Sequence, residues 1–243
     1  MRNVISAIIL GIAAIICFWI ASNALTYRYR ASETISVTGL AETDFASDLI
    51  VWNATYSRKS LDLKNAYAQL KADESTIRNY VHAKGVSDSE MVFNSVEITK
   101  DFVNKYDAND RQIGAEFTGY NLKQELVIES KDVAKVEKLS REITELIQGG
   151  IELNSSQPSY YFSKLGELKV DLLAKASADA KLRAETIASH SGATLGSLKK
   201  ATMGVFQITG QNSNEDYSSG GVFNTASKNK TASITMKMEF SAK

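Results

Sequence analysis

Residues 122–150 read LKQELVIESKDVAKVEKLSREITELIQGG, and a change of period inside this stretch decides the fold class. Leu122, Gln124, Leu126 and Ile128 share one face, with Lys123, Glu125 and Glu129 on the other. That two-residue repeat is the pattern of a strand covered on one side. From Asp132 the period lengthens: Val133, Val136, Leu139, Ile143, Leu146 and Ile147 recur at helical spacing as far as about Gln148. Asp132 is placed to accept the free N–H groups of the first turn, and Gly149-Gly150 to end the helix.

Upstream, Leu49 to Tyr56 (LIVWNATY) is apolar on both faces, which predicts a strand covered on both sides. Ser60 to Lys84 reads as a helix with Leu63, Ala66, Tyr67, Leu70, Ile77, Tyr80 and Val81 on one stripe, and Gly85 caps it. Met91 to Ile98 is the next strand. Strand, helix and strand therefore occur twice, around residues 49–98 and 121–162, a pattern that fits an internal duplication. Between them lies the polar stretch Asp101 to Gly114, whose Asp107-Ala108-Asn109-Asp110 reads as a turn-like tip between two strands.

Nearer the N-terminus, Ile35 and Val37 alternate with Ser36 and Thr38 before Gly39, a short strand and turn. On the far side, a third helix covers Leu165 to Ser191, rich enough in alanine to approach its neighbours closely, with Gly192 at its end. A strand near Leu198 to Ile208 is followed by a Gly/Ser/Asn-rich loop from Gly210 to about Asn229. The closing strand points Ile234, Met236, Met238 and Phe240 inward and Thr235, Lys237 and Glu239 outward. The fold class is α+β: two strand-helix-strand units, a third Ala-rich helix and a C-terminal antiparallel strand pair. Roughly 210 residues suffice for one large domain or two intimate subdomains.

Of the 243 residues, 28 are Lys or Arg and 28 are Asp or Glu. A formal net charge of zero argues against a nucleic-acid partner held mainly by phosphate contacts. The one cysteine, Cys17, excludes a disulfide framework and a Cys-ligated zinc or iron–sulfur site. It lies in Val4 to Leu25, a run without a charged side chain that carries Phe18 and Trp19 near its far end. Twenty-two helical residues span about 33 Å, enough to cross a hydrocarbon core of about 30 Å. The run is long for a cleaved signal, whose apolar region is about 7–15 residues. Ser22-Asn23-Ala24 keeps cleavage open as the competing reading, while Ile15 and Ile16 argue against lipidation of Cys17. Tyr27-Arg28-Tyr29-Arg30 suits the headgroup region. Residues 1–30 thus read as a membrane anchor and juxtamembrane segment, and residues 31–243 as the domain it carries. The charges flanking the run balance and leave its orientation open.

Several of these segments together resemble the SIMPL domain family of bacterial envelope proteins, which includes periplasmic immunogenic and oxidative-stress-defence members. The first is Ile35-Ser36-Val37-Thr38-Gly39-Leu40-Ala41-Glu42, like the family's opening strand and turn. Gly119-Tyr120 leading into Leu126-Val127-Ile128 is the second, followed by Asp132, Lys135 and Leu139. The most specific is Ala178-Asp179-Ala180, Arg183-Ala184-Glu185, Ile187-Ala188, Gly192 and Leu195-Gly196, and the strand Ala232 to Phe240 also fits. The resemblance runs in order from residue 33 to 241. Ser47-Asp48 stands where many members have Pro-Asp, and the final strand lacks the usual preceding Pro-Gly. The resemblance implies a single-pass inner-membrane protein with a cytoplasmic N-terminus and its C-terminal domain in the periplasm. The alternative is a cleaved domain free in the periplasm. It also implies a homo-oligomeric, ring-like assembly, with no established enzymatic activity or cofactor.

The residues themselves select no catalytic, cofactor-binding or metal-binding group. His82 and His190 each fall in the last turn of a helix, where a capping or dipole role is the ordinary one. Asp44 with Asp48, and Asp107 with Asp110, sit at turns, where Asp serves the backbone; the latter pair lacks the Gly and terminal Glu of a calcium loop. No nucleophile elbow, phosphate loop or dinucleotide fingerprint occurs. Tyr160, Tyr161 and Phe162 form an aromatic cluster whose commoner use is packing. The Gly210–Asn229 loop, with Tyr217, Val222 and Phe223, is the candidate interaction site, since loops of this length are unusual unless functional or disordered. The expected function is a self-assembling scaffold or interaction module in the cell envelope, with a role in stress defence, and not an enzyme. The alternative is a periplasmic module that binds a small hydrophobic or envelope-derived ligand.

Overall fold

The computed structural model describes residues 11, 15–22 and 33–242. Residues 15–22 are helical and exposed, Trp19 at 67%. Val4, Leu25 and most of the apolar run lie outside the described residues, and among those described no helix is long and apolar enough to cross a membrane. Residues 33–242 build two sheets, each with its own core.

The central sheet is made of β2 (Leu49–Ser60), β3 (Met91–Phe93), β5 (Gln112–Ser130) and β6 (Glu152–Ser155), in the order β3-β5-β2-β6. Here β4 (Glu97–Tyr106) pairs with β5, and β7 (Ser159–Tyr161) with β2, all antiparallel. Helices α1 (Leu63–Ala83) and α2 (Val133–Glu142) connect β2 to β3 and β5 to β6. Each strand-helix-strand unit leaves room for a strand of the other, so the two repeats seen in the sequence interleave as a split βαβ, ferredoxin-like sheet. The registers explain the alternation: Ile50, Trp52, Ala54 and Tyr56 on β2 and Leu122, Leu126 and Ile128 on β5 are buried. They meet Ala66, Leu70, Ile77 and Val81 of α1 and Val136 and Leu139 of α2. Each such large side chain taken fully out of water contributes about 1.5–3 kcal/mol. Trp52 keeps its indole N–H satisfied by donating to the Ser156 carbonyl at 3.0 Å. Asp73, buried on α1, takes the Arg58 guanidinium with both oxygens.

The second sheet runs β1 (Thr34–Ala46), β11 (Asn229–Ala242), β9 (Gln207–Gly210), β10 (Val222–Phe223), with β8 (Leu195–Met203) further along β11. Its core pairs Val37, Ala41, Ile234, Met236, Met238 and Phe240 with Leu172, Ala176, Ala180 and Ala184 of α3 (Leu165–Ser191). The inward set expected of the last strand is borne out, as are the glycine caps: Gly85, Gly150 and Gly192 all have left-handed φ.

Several expectations need correction. Gly39 makes no turn; β1 runs straight through it for 13 residues. A Cβ there would lie 2.3 Å from the Ala176 carbonyl oxygen and 2.4 Å from the Ala180 nitrogen, so its role is close approach to α3. Nor is β2 covered on both sides: one face is fully buried and the other half-buried. The strand foreseen at Met91–Ile98 is two, β3 and β4, and that at Leu198–Ile208 breaks at Gly204, whose N–H donates to Thr235. The helix from Asp132 passes into a 3-10 turn, Ile143–Gly149.

Candidate interaction surface

The ribbon β4–β5 leaves the central sheet. Its pairing runs from Glu97–Lys123 to Tyr106–Gln112, but β2 accompanies β5 only as far as Ser60–Tyr120. Beyond Gly119 the chain is therefore a two-stranded arm, about 20 Å of ribbon at the rise of a strand. Gly119 permits the departure: its φ is 138°, and a Cβ would meet the Ser60 carbonyl oxygen at 2.9 Å. At the tip, the Asp107 carboxylate accepts the N–H groups of Asn109 (2.8 Å) and Arg111 (3.0 Å), and Asp110 takes the left-handed conformation (φ 57°).

On one face of the arm, Phe102 meets Phe117 edge-on at 5.7 Å and Phe117 meets Tyr120 at 5.1 Å, with the Lys100 ammonium 6.0 Å from the Tyr120 ring. Tyr120 at the ladder's root packs against the central core, while among the described residues Phe102 and Phe117 belong to neither core. Phe102, Val103, Tyr106 and Ile113 are each more than half exposed. Opposite charges brace the root and shaft: Lys59 to Asp101 at 2.7 Å and Lys105 to Glu116 at 2.8 Å. A two-stranded ribbon is marginal in water without a third strand or a covering element, and apolar side chains grouped in the open mark a contact surface. The turn-like tip expected at Asp107–Asp110 between two strands is borne out, but the polar stretch Asp101–Gly114 around it is mostly strand. The signal that sequence reasoning passed over is the alternation Ile98, Lys100, Phe102, Asn104, Tyr106, a strand period with apolar members that no helix stripe was left to cover.

The Gly210–Asn229 loop is placed elsewhere, across the seam between the two sheets. Gln207 fastens it by donating to the Ser218 carbonyl and accepting from Val222 N–H. The Glu215 carboxylate accepts from Gly210 N–H and from Asn224, and those bonds hold its pKa below the usual carboxylate range. Thr225 accepts the Tyr160 N–H at 2.7 Å, and Lys228 pairs with Glu137 at 3.1 Å. The buried Lys230 donates to the carbonyls of Tyr160 (2.5 Å) and Asn224 (2.6 Å); burial lowers its pKa, with Glu215 opposing. Phe223 lies against Tyr161 and half exposed, Val222 is partly covered, and Tyr217 is exposed while its hydroxyl meets Ser233. The loop thus straps the sheets together, and its aromatics are not brought near the arm's ladder.

The remaining candidates are spread apart. His82 contacts the Val86 carbonyl (3.0 Å) and Asp88 (3.2 Å), whereas His190 contacts the Thr186 carbonyl on α3. Asp44 accepts from Thr231 and then Gln211, which lower its pKa, and Asp48 accepts from Ser163. Tyr160 is buried with its hydroxyl on Glu137, and Phe162 packs on Phe45. Among the described residues no three His, Cys, Asp or Glu side chains gather to hold a metal. A groove of about 630 Å³ lies between β1 and α3, lined by Val37, Leu182 and Ile187 with Asp179 and Arg183.

Comparison with known proteins places the chain. The model of one family, SIMPL, described as a protein of unknown function (DUF541), matches residues 35–242. No curated protein matches the chain.

Proposed function

The chain belongs to the SIMPL family, and from that premise we propose that it is a self-assembling interaction module of the cell envelope. Its N-terminal apolar run tethers it to the inner membrane and its domain of residues 31–243 works in the periplasm, in a stress-defence setting. The single observation that carries this reading is the arm beyond Gly119, an aromatic ribbon held clear of both cores. Tethering confines the arms of many copies to one layer, so that a weak contact is reinforced by raised local concentration. The test is native mass by light scattering over a range of concentrations, for the full chain in detergent and for residues 31–243. A discrete oligomer is expected, and strict monomers in both preparations would overturn the reading.

The groove beside α3 favours the second reading, a binding module, because it joins the apolar Leu182 and Ile187 to an ion pair of Asp179 and Arg183 at 2.8 Å. A thermal shift with lipids or cell-wall fragments, lost in Leu182→Asp, would favour it over the scaffold.

A further inference from the structure

We propose, resting on the self-assembly reading, that the arm's partner is the arm of a second copy, joined edge to edge through β4 antiparallel about a two-fold axis at Val103. Of the arm's two edges only β4 is regular. It runs ten residues without Gly or Pro, whereas the distal part of β5 is broken by extra residues at Ile113 and Thr118 and by Gly114 and Gly119. Bulges of that kind spoil an edge for pairing, and an unbroken edge offers its free N–H and C=O groups as a template.

The charges then choose the register. In a two-fold antiparallel pair, facing residues lie equidistant from the axis and on the same face. Centred on Val103, Asp101 faces the second copy's Lys105 and Lys105 faces its Asp101, while Val103 faces itself. On the other face Phe102 meets Asn104 and Lys100 meets Tyr106. Centring on Phe102 would set Glu97 against Asp107, and centring on Asn104 would set Asp101 against Asp107. Axes at Asp101 or Lys105 would set each against its own copy. Opposite charges across a ladder favour a pair and like charges disfavour it, so the Val103 register stands alone among these five. It also extends the existing pairs into a run of alternating sign, Lys59–Asp101–Lys105–Glu116, twice over. Two marginal ribbons become one four-stranded sheet, β5-β4-β4-β5, with the Phe102–Phe117–Tyr120 ladders of both copies on a shared face. A lipid surface is the poorer occupant, because residues 100–118 set Asp101, Asp107, Asp110 and Glu116 against Lys100, Lys105 and Arg111 and so offer anionic headgroups no basic excess.

The experiment uses the full chain in detergent micelles with Cys17→Ser, so that introduced thiols are the only ones. Facing Cα atoms in an antiparallel pair are about 4.5–5.5 Å apart, within disulfide reach. Val103→Cys is expected to give a covalent dimer on mild oxidation. Asp101→Cys and Lys105→Cys, whose like positions would be about 13 Å apart at a strand's rise, should each cross-link at least tenfold less alone but should form a heterodimer when mixed. An oligomer that persists with no Val103 cross-link and no mixed 101–105 product overturns this interface and leaves self-assembly standing. Monomers with no cross-link overturn both. Efficient self-linking at 101 or 105 refutes the register.

Discussion

Gly39→Ala probes how the Ala-rich helix meets its sheet. The added methyl would stand 2.3 Å from the Ala176 carbonyl oxygen and 2.4 Å from the Ala180 nitrogen, about 1 Å inside ordinary van der Waals contact. Both atoms belong to helix backbone and cannot rotate aside. Either α3 retreats, loosening the Ala176, Ala180 and Ala184 contacts and drawing Asp179 from the Leu40 N–H it accepts at 2.8 Å, or β1 bends away from β11. Overpacking a core costs about 1–3 kcal/mol and occasionally more; two rigid clashes place this one near 3 kcal/mol. For a domain of this size that lowers Tm by about 6–12 °C. Gly166→Ala is the control: it lies on the same helix, its Cβ would meet nothing within 4 Å, and it should be neutral or stabilise by up to about 1 kcal/mol. Thermal and urea melts of both variants decide. If Gly39→Ala melts within 2 °C of the parent (under about 1 kcal/mol), the close-packing account of Gly39 is wrong.

Three further outcomes are expected. Ser47 is buried and its hydroxyl has no hydrogen-bond partner among the described residues, while its N–H donates to the Lys228 carbonyl at 2.9 Å. Ser47→Ala should therefore raise stability by about 1 kcal/mol and Ser47→Pro, which deletes the N–H, should lower it; a melt of Ser47→Ala below the parent's would contradict this. Glu90 accepts from Ser130, from Ser87 N–H and from the Ser87 hydroxyl, which together hold its pKa down to about 2 from 4.5. Its folded form gives up the proton more readily than the unfolded chain, so its stabilisation is complete above the unfolded value and fades as pH falls toward 2. Melting curves of Glu90→Gln and parent should be separated at neutral pH and converge in acid, and parallel curves would sink the argument. Lys230→Ala removes two charge-assisted bonds from the strap, offset by relief of a buried ammonium, for a net loss of about 2 kcal/mol. Limited proteolysis should then cut first between Gly210 and Asn229, and unchanged cleavage would deny the strap its clamp.

Where one residue's neighbours in sequence are also its neighbours in the fold, the chain was legible. The β5 alternation, the left-handed glycine caps and most of the two helix stripes depend on local period and φ and lie where their patterns put them, whereas Leu63, Tyr67 and Ile147 of those stripes are exposed. Gly39 was misread because a turn and a close helix contact demand the same residue, and only the placement of Ala176, 137 positions away, separates them. The arm was hidden for a related reason. Lys100, Asn104 and Asp107 dilute the window, and nothing local tells that β2 stops accompanying β5 at Tyr120. The Gly210–Asn229 loop is rich in turn residues, yet its order comes from Gln207 and Lys230, which lie outside or at the end of the biased segment.

Two edge strands, β1 of one sheet and β4 of the other, are treated in opposite ways, and that contrast bears on function. On β1, a long strand paired only with β11, the Leu40 N–H is already taken by Asp179, whose pKa that bond and Arg183 lower, and α3 rides close over Gly39. A strand so engaged presents a poor template to another chain. On β4 the extra residues of the pairing all lie on β5, and Asp101 and Lys105 are already paired within the arm or its root. Closing an edge takes one carboxylate and one glycine in this fold, as β1 demonstrates. An edge left open for ten residues, flanked by exposed Phe102, Val103 and Tyr106, exposes the chain to aggregation unless pairing there is used. Asp179→Ala turns the contrast into a measurement. It should lower Tm and leave cross-linking at Val103 intact, because the two edges belong to different sheets. Loss of the Val103 cross-link in the still-folded variant would refute the independence of the two edges.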